Sequence, residues 1–355
     1  MEINRRKTRQ VMVGDVAVGG DAPVSVQSMT TTKTWNIKDT LNEIHDLENA
    51  GCQIIRVTVP DEASASALKK IKAEMSVPLV ADIHFNYKMA LLALEAGVDK
   101  IRINPGNIGK AENVKMVLDG CKAQGVPIRI GVNAGSLEKE IAEKYGFPTA
   151  EGMLESATKH IKICEENDFT DIIVSLKSSD VPLMMAAYRL FSKKYDYPLH
   201  LGVTESGTFR TGSIKSSVGI GSLLAEGIGD TIRVSLADES VKEVKVGKEI
   251  LKSLGLASGG VTVIACPTCG RLEVDLFKIA NEVEDRTEHI KTPMKVAIMG
   301  CAVNGPGESR EADIGIACGT HEALLYRDGK TVGKIPEDQA RERRIQEIEE
   351  FSNSH

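Results

Sequence analysis

Glu48-Asn-Ala-Gly-Cys-Gln-Ile-Ile-Arg56-Val, Glu95-Ala-Gly-Val-Asp-Lys-Ile-Arg102-Ile and Glu226-Gly-Ile-Gly-Asp-Thr-Ile-Arg233-Val repeat one phrase. Each reads as a helix end, a glycine stop, and a short β-branched strand carrying an arginine. Eight short strand-like runs lie along the chain, with or without the arginine: Val24–Met29, Ile54–Val59, Leu79–Phe85, Lys100–Asn104, Ile128–Asn133, Asp171–Lys177, His200–Glu205 and Thr231–Leu236. Segments of helical period lie between them, among them Lys38–Ala50, Tyr87–Ala96, Val114–Ala123, Met153–Asn167 and Val241–Leu254. Eight βα units predict an α/β fold, a (β/α)8 TIM barrel over residues 1–254. A doubly wound open sheet is the competing layout, and the count of eight favours the barrel.

Gly255-Leu-Ala-Ser-Gly-Gly260 is small and flexible, and reads as a linker. Beyond it, 261–355 is expected to form a small α+β domain with strands at 261–265, 295–299 and 313–317 and a first helix over 273–284. A hairpin turning at Asp328-Gly329 and a closing charged helix, 337–351, complete it. This domain carries Cys266-Pro-Thr-Cys269-Gly270 and Gly300-Cys301-Ala-Val-Asn-Gly-Pro-Gly-Glu308. Both motifs follow β-branched runs, so three sulfurs sit at strand ends on Gly/Pro turns. CxxC spacing plus a third thiol points to a metal or an iron–sulfur cluster. The fourth ligand is not an obvious cysteine; Cys318, ending a neighbouring strand, is one alternative. Cys52, Cys121 and Cys164 read as core residues. His45 and His160, on helices, read as surface or satisfied residues, and His321 as a loop residue.

Side chains alternate along a strand, so Ile55 and Val57 face away from Arg56, and Ile101 and Ile103 away from Arg102. The same parity opposes Ile128 and Ile130 to Arg129 and Asn133, and sets Lys177 and Arg233 against Val174 and Val234. If the aliphatic face meets the helices, Arg56, Arg102, Arg129, Lys177 and Arg233 point into the barrel. Internal acids are fewer: Asp82, and Glu205 at the end of the seventh strand, where parity with Leu201 and Val203 is strained. Burying a cation costs several kcal/mol unless it is paired. An excess of guanidinium forks therefore implies a polyanionic ligand. Ser206–Ser213, continuing to Ser222, is rich in small hydroxylated residues, in a region where barrels often bind phosphate.

The 355 residues carry a net charge of −6, which argues against a nucleic-acid or anionic-membrane surface. No apolar run reaches the ~18 residues of a membrane span, and no signal-peptide core follows the N-terminus. Seven cysteines, an odd number, do not form an evident disulfide framework, so a cytoplasmic setting is expected.

Taken together, these motifs closely resemble the bacterial two-domain form of the 4-hydroxy-3-methylbut-2-enyl diphosphate synthase family, iron–sulfur enzymes of non-mevalonate isoprenoid synthesis. The resemblance rests on Val26-Gln-Ser-Met-Thr30, Ala81-Asp-Ile-His-Phe85, Lys100-Ile-Arg-Ile-Asn-Pro-Gly-Asn107, Arg129-Ile-Gly-Val-Asn-Ala-Gly-Ser-Leu137, Ser175-Leu-Lys-Ser-Ser179, Gly202-Val-Thr-Glu-Ser-Gly207 and both cysteine motifs. It implies a [4Fe–4S] cluster held by Cys266, Cys269, Cys301 and the Glu308 carboxylate. It implies 2-C-methyl-D-erythritol 2,4-cyclodiphosphate as substrate, with Arg56, Arg102, Arg129 and Lys177 on the diphosphate and Asn133 and Ser235 nearby. Glu205 matches the family's acid near the substrate, and Asp82 and His84 match barrel-mouth positions. The implied reaction is a two-electron reductive ring opening with loss of water. With no nicotinamide or flavin fingerprint evident, reduced flavodoxin or ferredoxin is the expected donor. A six-residue linker reaches at most ~20 Å. A head-to-tail homodimer, each cluster domain serving the partner's barrel, is therefore expected, and the resemblance implies the same.

Overall fold

A computed structural model describes residues 3–257, 259–272, 274–301, 305–319 and 322–354, without the side chains of 337–341. Ser258 of the linker, Glu273, Ala302–Asn304 and His321 lie outside the described residues. The chain divides into two compact units, Met1–Ala257 and Ser258–His355.

The first unit opens with a hairpin, β1 (Val11–Val13) and β2 (Val16–Val18). Eight parallel strands follow: β3 (Ser25–Met29), β4 (Ile54–Thr58), β5 (Leu79–Asp82), β6 (Lys100–Arg102), β7 (Ile128–Asn133), β8 (Ile172–Lys177), β9 (His200–Leu201) and β10 (Thr231–Ile232). Their spatial order is β8-β7-β6-β5-β4-β3-β10-β9. A parallel bridge between Val174 and Leu199 joins the two ends, so the sheet is a barrel and the open-sheet layout falls. The principal helices between strands are α1 (Ile37–Asn49), α2 (Glu62–Glu74), α3 (Tyr87–Glu95), α4 (Ala111–Gln124), α5 (Lys139–Tyr145), α6 (Ala150–Glu165), α7 (Val181–Lys194) and α8 (Phe209–Ala225), with α9 (Ser240–Ser253) after β10. Side chains cap several of them, as where the Asp61 carboxylate accepts from Ser64 N–H at 2.8 Å. The repeated glycine stops are real: Gly51, Gly97 and Gly227 all adopt positive φ, which a Cβ would penalise. The hydroxyl-rich stretch after β9 is helical from Phe209 onward rather than a loop.

Strand parity follows the sequence. Ile55, Val57, Ile101, Ile103, Ile128 and Ile130 pack into the main core, with the buried faces of the helices. The inward positions differ by height. Ile54, Val80 and Ile173 form an apolar floor against Val11, Val13 and Val18 of the hairpin. One pleat higher, toward the C-terminal ends of the strands, the inward residues become polar and charged: Arg56, Asp82 and Ser175. The hairpin was not anticipated, although Gly14-Asp15 between alternating valines is a turn signal.

The second unit holds a five-stranded sheet in the order β11 (Val261–Ala265), β12 (Met294–Met299), β13 (Ile314–Cys318), β14 (Glu322–Arg327), β15 (Lys330–Pro336). The first three strands run parallel and the last two return antiparallel. Asp328 and Gly329 both have positive φ, as a tight hairpin turn demands. Helices α10 (Leu276–Thr287), α11 (Gly305–Arg310) and α12 (Glu337–Ser354) complete the unit. Its separate core joins Leu276 and Val283 to Val296, Ile298, Ile314, Ile316, Leu325, Ile345 and Ile348.

Candidate active site

At the C-terminal ends of the barrel strands lies a cavity of about 140 Å³, lined by Arg56, Asp82, His84, Arg102, Arg129, Asn133, Lys177, Thr204, Arg233 and Ser235. The structure thus brings together all eight residues expected to bind substrate, and adds Thr204 and Arg233. Asp82 is shared: Arg102 Nη1 lies 3.3 Å from Oδ1, and Arg56 Nε lies 3.6 Å from Oδ2. Burial alone would raise the Asp82 carboxyl, but Arg56, then Arg102 and Arg129, hold it down at about 2. Arg129 donates to Ser175 Oγ at 2.7 Å, while its Nε and Nη2 are buried with no hydrogen-bond partner among the described residues. Burial, then repulsion from Arg56 and Arg102, lowers Arg129 well below the ordinary arginine value. Lys177 is lowered well too, by burial first and then by Arg129, Arg233 and Arg56.

Two residues absent from the expected set alter this balance. Glu243, buried on α9, reaches in to Arg233 at 3.1 Å and accepts from Ser28 Oγ at 2.8 Å and Leu236 N–H at 2.9 Å. Arg233 is therefore internally paired. Lys100, with the same parity as Arg102, is fully buried and donates to Gln27 Oε1 at 3.1 Å. Burial, then Arg129 and Arg56, pushes its ammonium well below the usual range. Two carboxylates, Asp82 and Glu243, thus face six cations. Arg129 and Lys177 make no carboxylate contact within ion-pair distance among the described residues.

Glycine makes room for these long side chains. A Cβ on Gly131 would lie 2.8 Å from Arg102 Nε, and one on Gly202 would lie 2.7 Å from both Lys177 Nζ and the Arg233 carbonyl oxygen. That carbonyl belongs to the barrel wall and cannot swing aside. Gly202→Ala is expected to displace Lys177 and weaken pyrophosphate binding about tenfold, by the sensitivity of a site to small misplacements. Calorimetric titration checks this; unchanged affinity would show that Lys177 needs no such clearance.

Glu205 stands one residue beyond Thr204, exposed and with φ of +50°, and is not among the cavity-lining residues. The strained parity of the seventh strand has a simple resolution. Leu201 and Val203 face the helices, while His200, Gly202 and Thr204 face the lumen. Left-handed backbone then redirects the chain at Glu205, a conformation few non-glycine residues adopt.

In the second unit, Cys266 follows β11 and Cys301 follows β12, adjacent parallel strands with Ala265 opposite Ile298. Cys266 Sγ accepts from Gly300 N–H at 3.5 Å. Cys269 is exposed, and its thiol is lowered by the Arg271 backbone N–H and then the Arg271 side chain. Glu308, on α11, lines a cavity of about 620 Å³ together with Cys266, Pro267, Met299 and Glu311. Among the described residues no three His, Cys, Asp or Glu side chains gather tightly enough for one ion. Ligands of a multi-iron cluster bind separate irons and stand farther apart. Three thiols at two neighbouring strand ends, one already acidified, and a carboxylate on an open cavity form a donor set that suits such a cluster. Cys318, by contrast, is buried with Arg344 Nη2 at 3.7 Å from its sulfur. Cys52, Cys121 and Cys164 are buried, and burial pushes each thiol up to about 12.

Comparison with known proteins follows the same division. The GcpE TIM-barrel domain matches residues 8–248, and the GcpE protein C-terminal domain matches 262–350. A 4-hydroxy-3-methylbut-2-en-1-yl diphosphate synthase (flavodoxin) of Geobacillus thermodenitrificans is 60% identical, over 99% of this chain and 94% of that protein. The Bacillus subtilis protein of the same name is 58% identical, over 99% of this chain and 93% of its own length. Among solved structures, Yersinia pestis dihydropteroate synthase aligns with a TM-score of 0.49 at 13% identity, covering 70% of this chain and 99% of that one.

Proposed function

The chain belongs to the GcpE family, and on that footing we propose that it is an iron–sulfur oxidoreductase of isoprenoid synthesis, opening 2-C-methyl-D-erythritol 2,4-cyclodiphosphate reductively to 4-hydroxy-3-methylbut-2-enyl diphosphate. The observation that carries the substrate class is the buried pair Arg129 and Lys177 at the barrel mouth, neither within ion-pair distance of a carboxylate among the described residues. Buried basic groups held in place before the ligand arrives are complementary to a diphosphate. In this reading Arg129 and Lys177 carry the phosphoryl oxygens, with Arg56 and Arg102 oriented by Asp82. Asn133 and Ser235 fix the ligand's orientation, His84 stands at the mouth, and Glu205 is the acid near the substrate.

Cys266, Cys269, Cys301 and Glu308 would hold a [4Fe–4S] cluster, which when bound would pass on the donor's electrons one at a time, two per turnover, and would supply Lewis acidity. Carboxylate is a harder and weaker partner for iron than thiolate, so Glu308 is the ligand suited to yield its place. Reduced flavodoxin, which the relatives' names carry, or ferredoxin is the proposed electron source. A cytoplasmic homodimer completes the proposal, supported by the brevity of the segment 255–260. No helix among the described residues is long and apolar enough to cross a membrane.

The lumen also sets the sign of a proton linkage. The Lys177 ammonium is disfavoured in the empty protein by burial and by its cationic neighbours. A polyanion reverses that, so binding takes up protons, and affinity rises as pH falls from the ordinary lysine range toward the lowered value. Calorimetry with the cyclic diphosphate in two buffers of different ionisation enthalpy reads this directly. Absence of proton uptake at every pH up to the ordinary lysine range would remove Lys177 from the contact set, and no binding at all would remove the lumen.

A further inference from the structure

His160 sits on α6, is 1% exposed, and touches two loops at the barrel mouth. Its Nδ1 accepts the Gly106 N–H at 3.1 Å, in the loop that follows β6. Its Nε2 lies 2.9 Å from Glu138 Oε1, beyond β7, in a short contact that falls outside hydrogen-bond alignment. Because Nδ1 accepts, the ring proton belongs on Nε2, beside the carboxylate. Glycine at 106 is required for this approach, since a Cβ there would lie 2.8 Å from His160 Cε1 and 3.0 Å from Nδ1.

The contact continues toward the cavity. Two residues before Gly106, Asn104 donates to the Gly131 carbonyl oxygen at 3.0 Å and accepts the Gly131 N–H at 2.8 Å. Arg102 Nη2 donates to that same carbonyl at 3.3 Å. Asn133, two residues further along β7, lines the cavity, as Arg102 does. One wall of the cavity is thus built from the ends of β6 and β7 and held from behind by a helix side chain.

We infer that His160, as its neutral Nε2–H tautomer, is a positioning residue that locks the β6 and β7 loops together and so fixes Arg102 and Asn133 for anion binding. The inference rests on the lumen being the diphosphate site. It differs from a packing role because it ties one ring nitrogen to one backbone amide, and that amide to affinity.

The test uses the full-length protein with inorganic pyrophosphate as the probe. His160→Leu removes the acceptor, His160→Gln keeps an acceptor and a donor on one side chain, and Gly106→Ala pushes the ring away while leaving it intact. Pyrophosphate affinity is expected to fall about tenfold in His160→Leu and Gly106→Ala and to recover largely in His160→Gln, following the cost of small misplacements. The Gly106 amide should exchange slowly in wild type and His160→Gln and quickly in His160→Leu. Nitrogen NMR of the histidine rings should show an unprotonated Nδ1 for His160. An Nδ1–H tautomer, or a Gly106 amide equally protected in His160→Leu, overturns the lock. With the wild type binding pyrophosphate, unchanged affinity in folded His160→Leu and Gly106→Ala overturns its link to the site. If the wild type itself fails to bind, the lumen reading falls and the link to anion binding falls with it.

Discussion

Cys301→Ser is expected to leave a folded, colourless protein with almost no iron. The barrel has its own core and its own hairpin floor, both built from residues of the first unit. Serine offers a hard, weakly acidic hydroxyl where a cluster iron needs a soft thiolate. Cys266→Ser and Cys269→Ser should behave alike, since all three thiols stand on the turns that end β11 and β12. Cys318→Ser should retain iron, because that sulfur is buried in the sheet core beside Arg344. Iron analysis and visible absorption after anaerobic purification read the result. Iron loss in Cys318→Ser as complete as in Cys301→Ser would displace Glu308 from the ligand set. Glu308→Cys is the complementary probe, predicted to hold its cluster and lose most activity.

The second large effect concerns the lumen. Removing Arg129 or Lys177 should weaken binding of the cyclic diphosphate by roughly 1.5–3 kcal/mol, the range for hydrogen bonds to charged groups. Arg56→Ala and Arg102→Ala should cost affinity similarly, yet differ in the empty protein. Arg129 and Lys177 press on neighbouring cations, so truncating either relieves repulsion and the empty melting temperature should hold or rise. Arg56 and Arg102 share Asp82, and losing either leaves that buried carboxylate half-paired, so the empty protein should melt lower. Melts with and without ligand separate the two effects. Equal ligand-induced stabilisation in wild type and all four variants would place the anion elsewhere.

The strand arginines were legible because parity is strict: once Ile55, Val57, Ile101 and Ile103 face the helices, Arg56 and Arg102 must face inward. The glycine stops marked the strand starts for the same local reason. Glu243 was not legible, because a helix residue that reaches through the wall has no period-2 signature. Lys100 shares the parity of Arg102 and could have been counted. His160 looked ordinary in sequence, since the amide it accepts lies in a loop distant along the chain. The proposed cluster ligands rest on family resemblance; spacing alone left Cys318 and Glu308 both open. Apart from its match to the family's acid, Glu205 showed itself as a break in alternation, which the backbone at φ +50° accounts for.

In the proposed reaction the cationic lumen holds the substrate and the cysteine-rich unit holds the cluster. Anaerobically purified protein, loaded to about four irons per chain, should convert the cyclic diphosphate to the linear allylic diphosphate when given reduced flavodoxin. Cys301→Ser with its lumen intact should abolish turnover, and Arg129→Ala at full iron loading should lower it about tenfold to a hundredfold at subsaturating substrate, following its loss of binding. Turnover that survives in iron-free Cys301→Ser, or an iron-loaded wild type that binds the substrate and never opens it, would contradict the account.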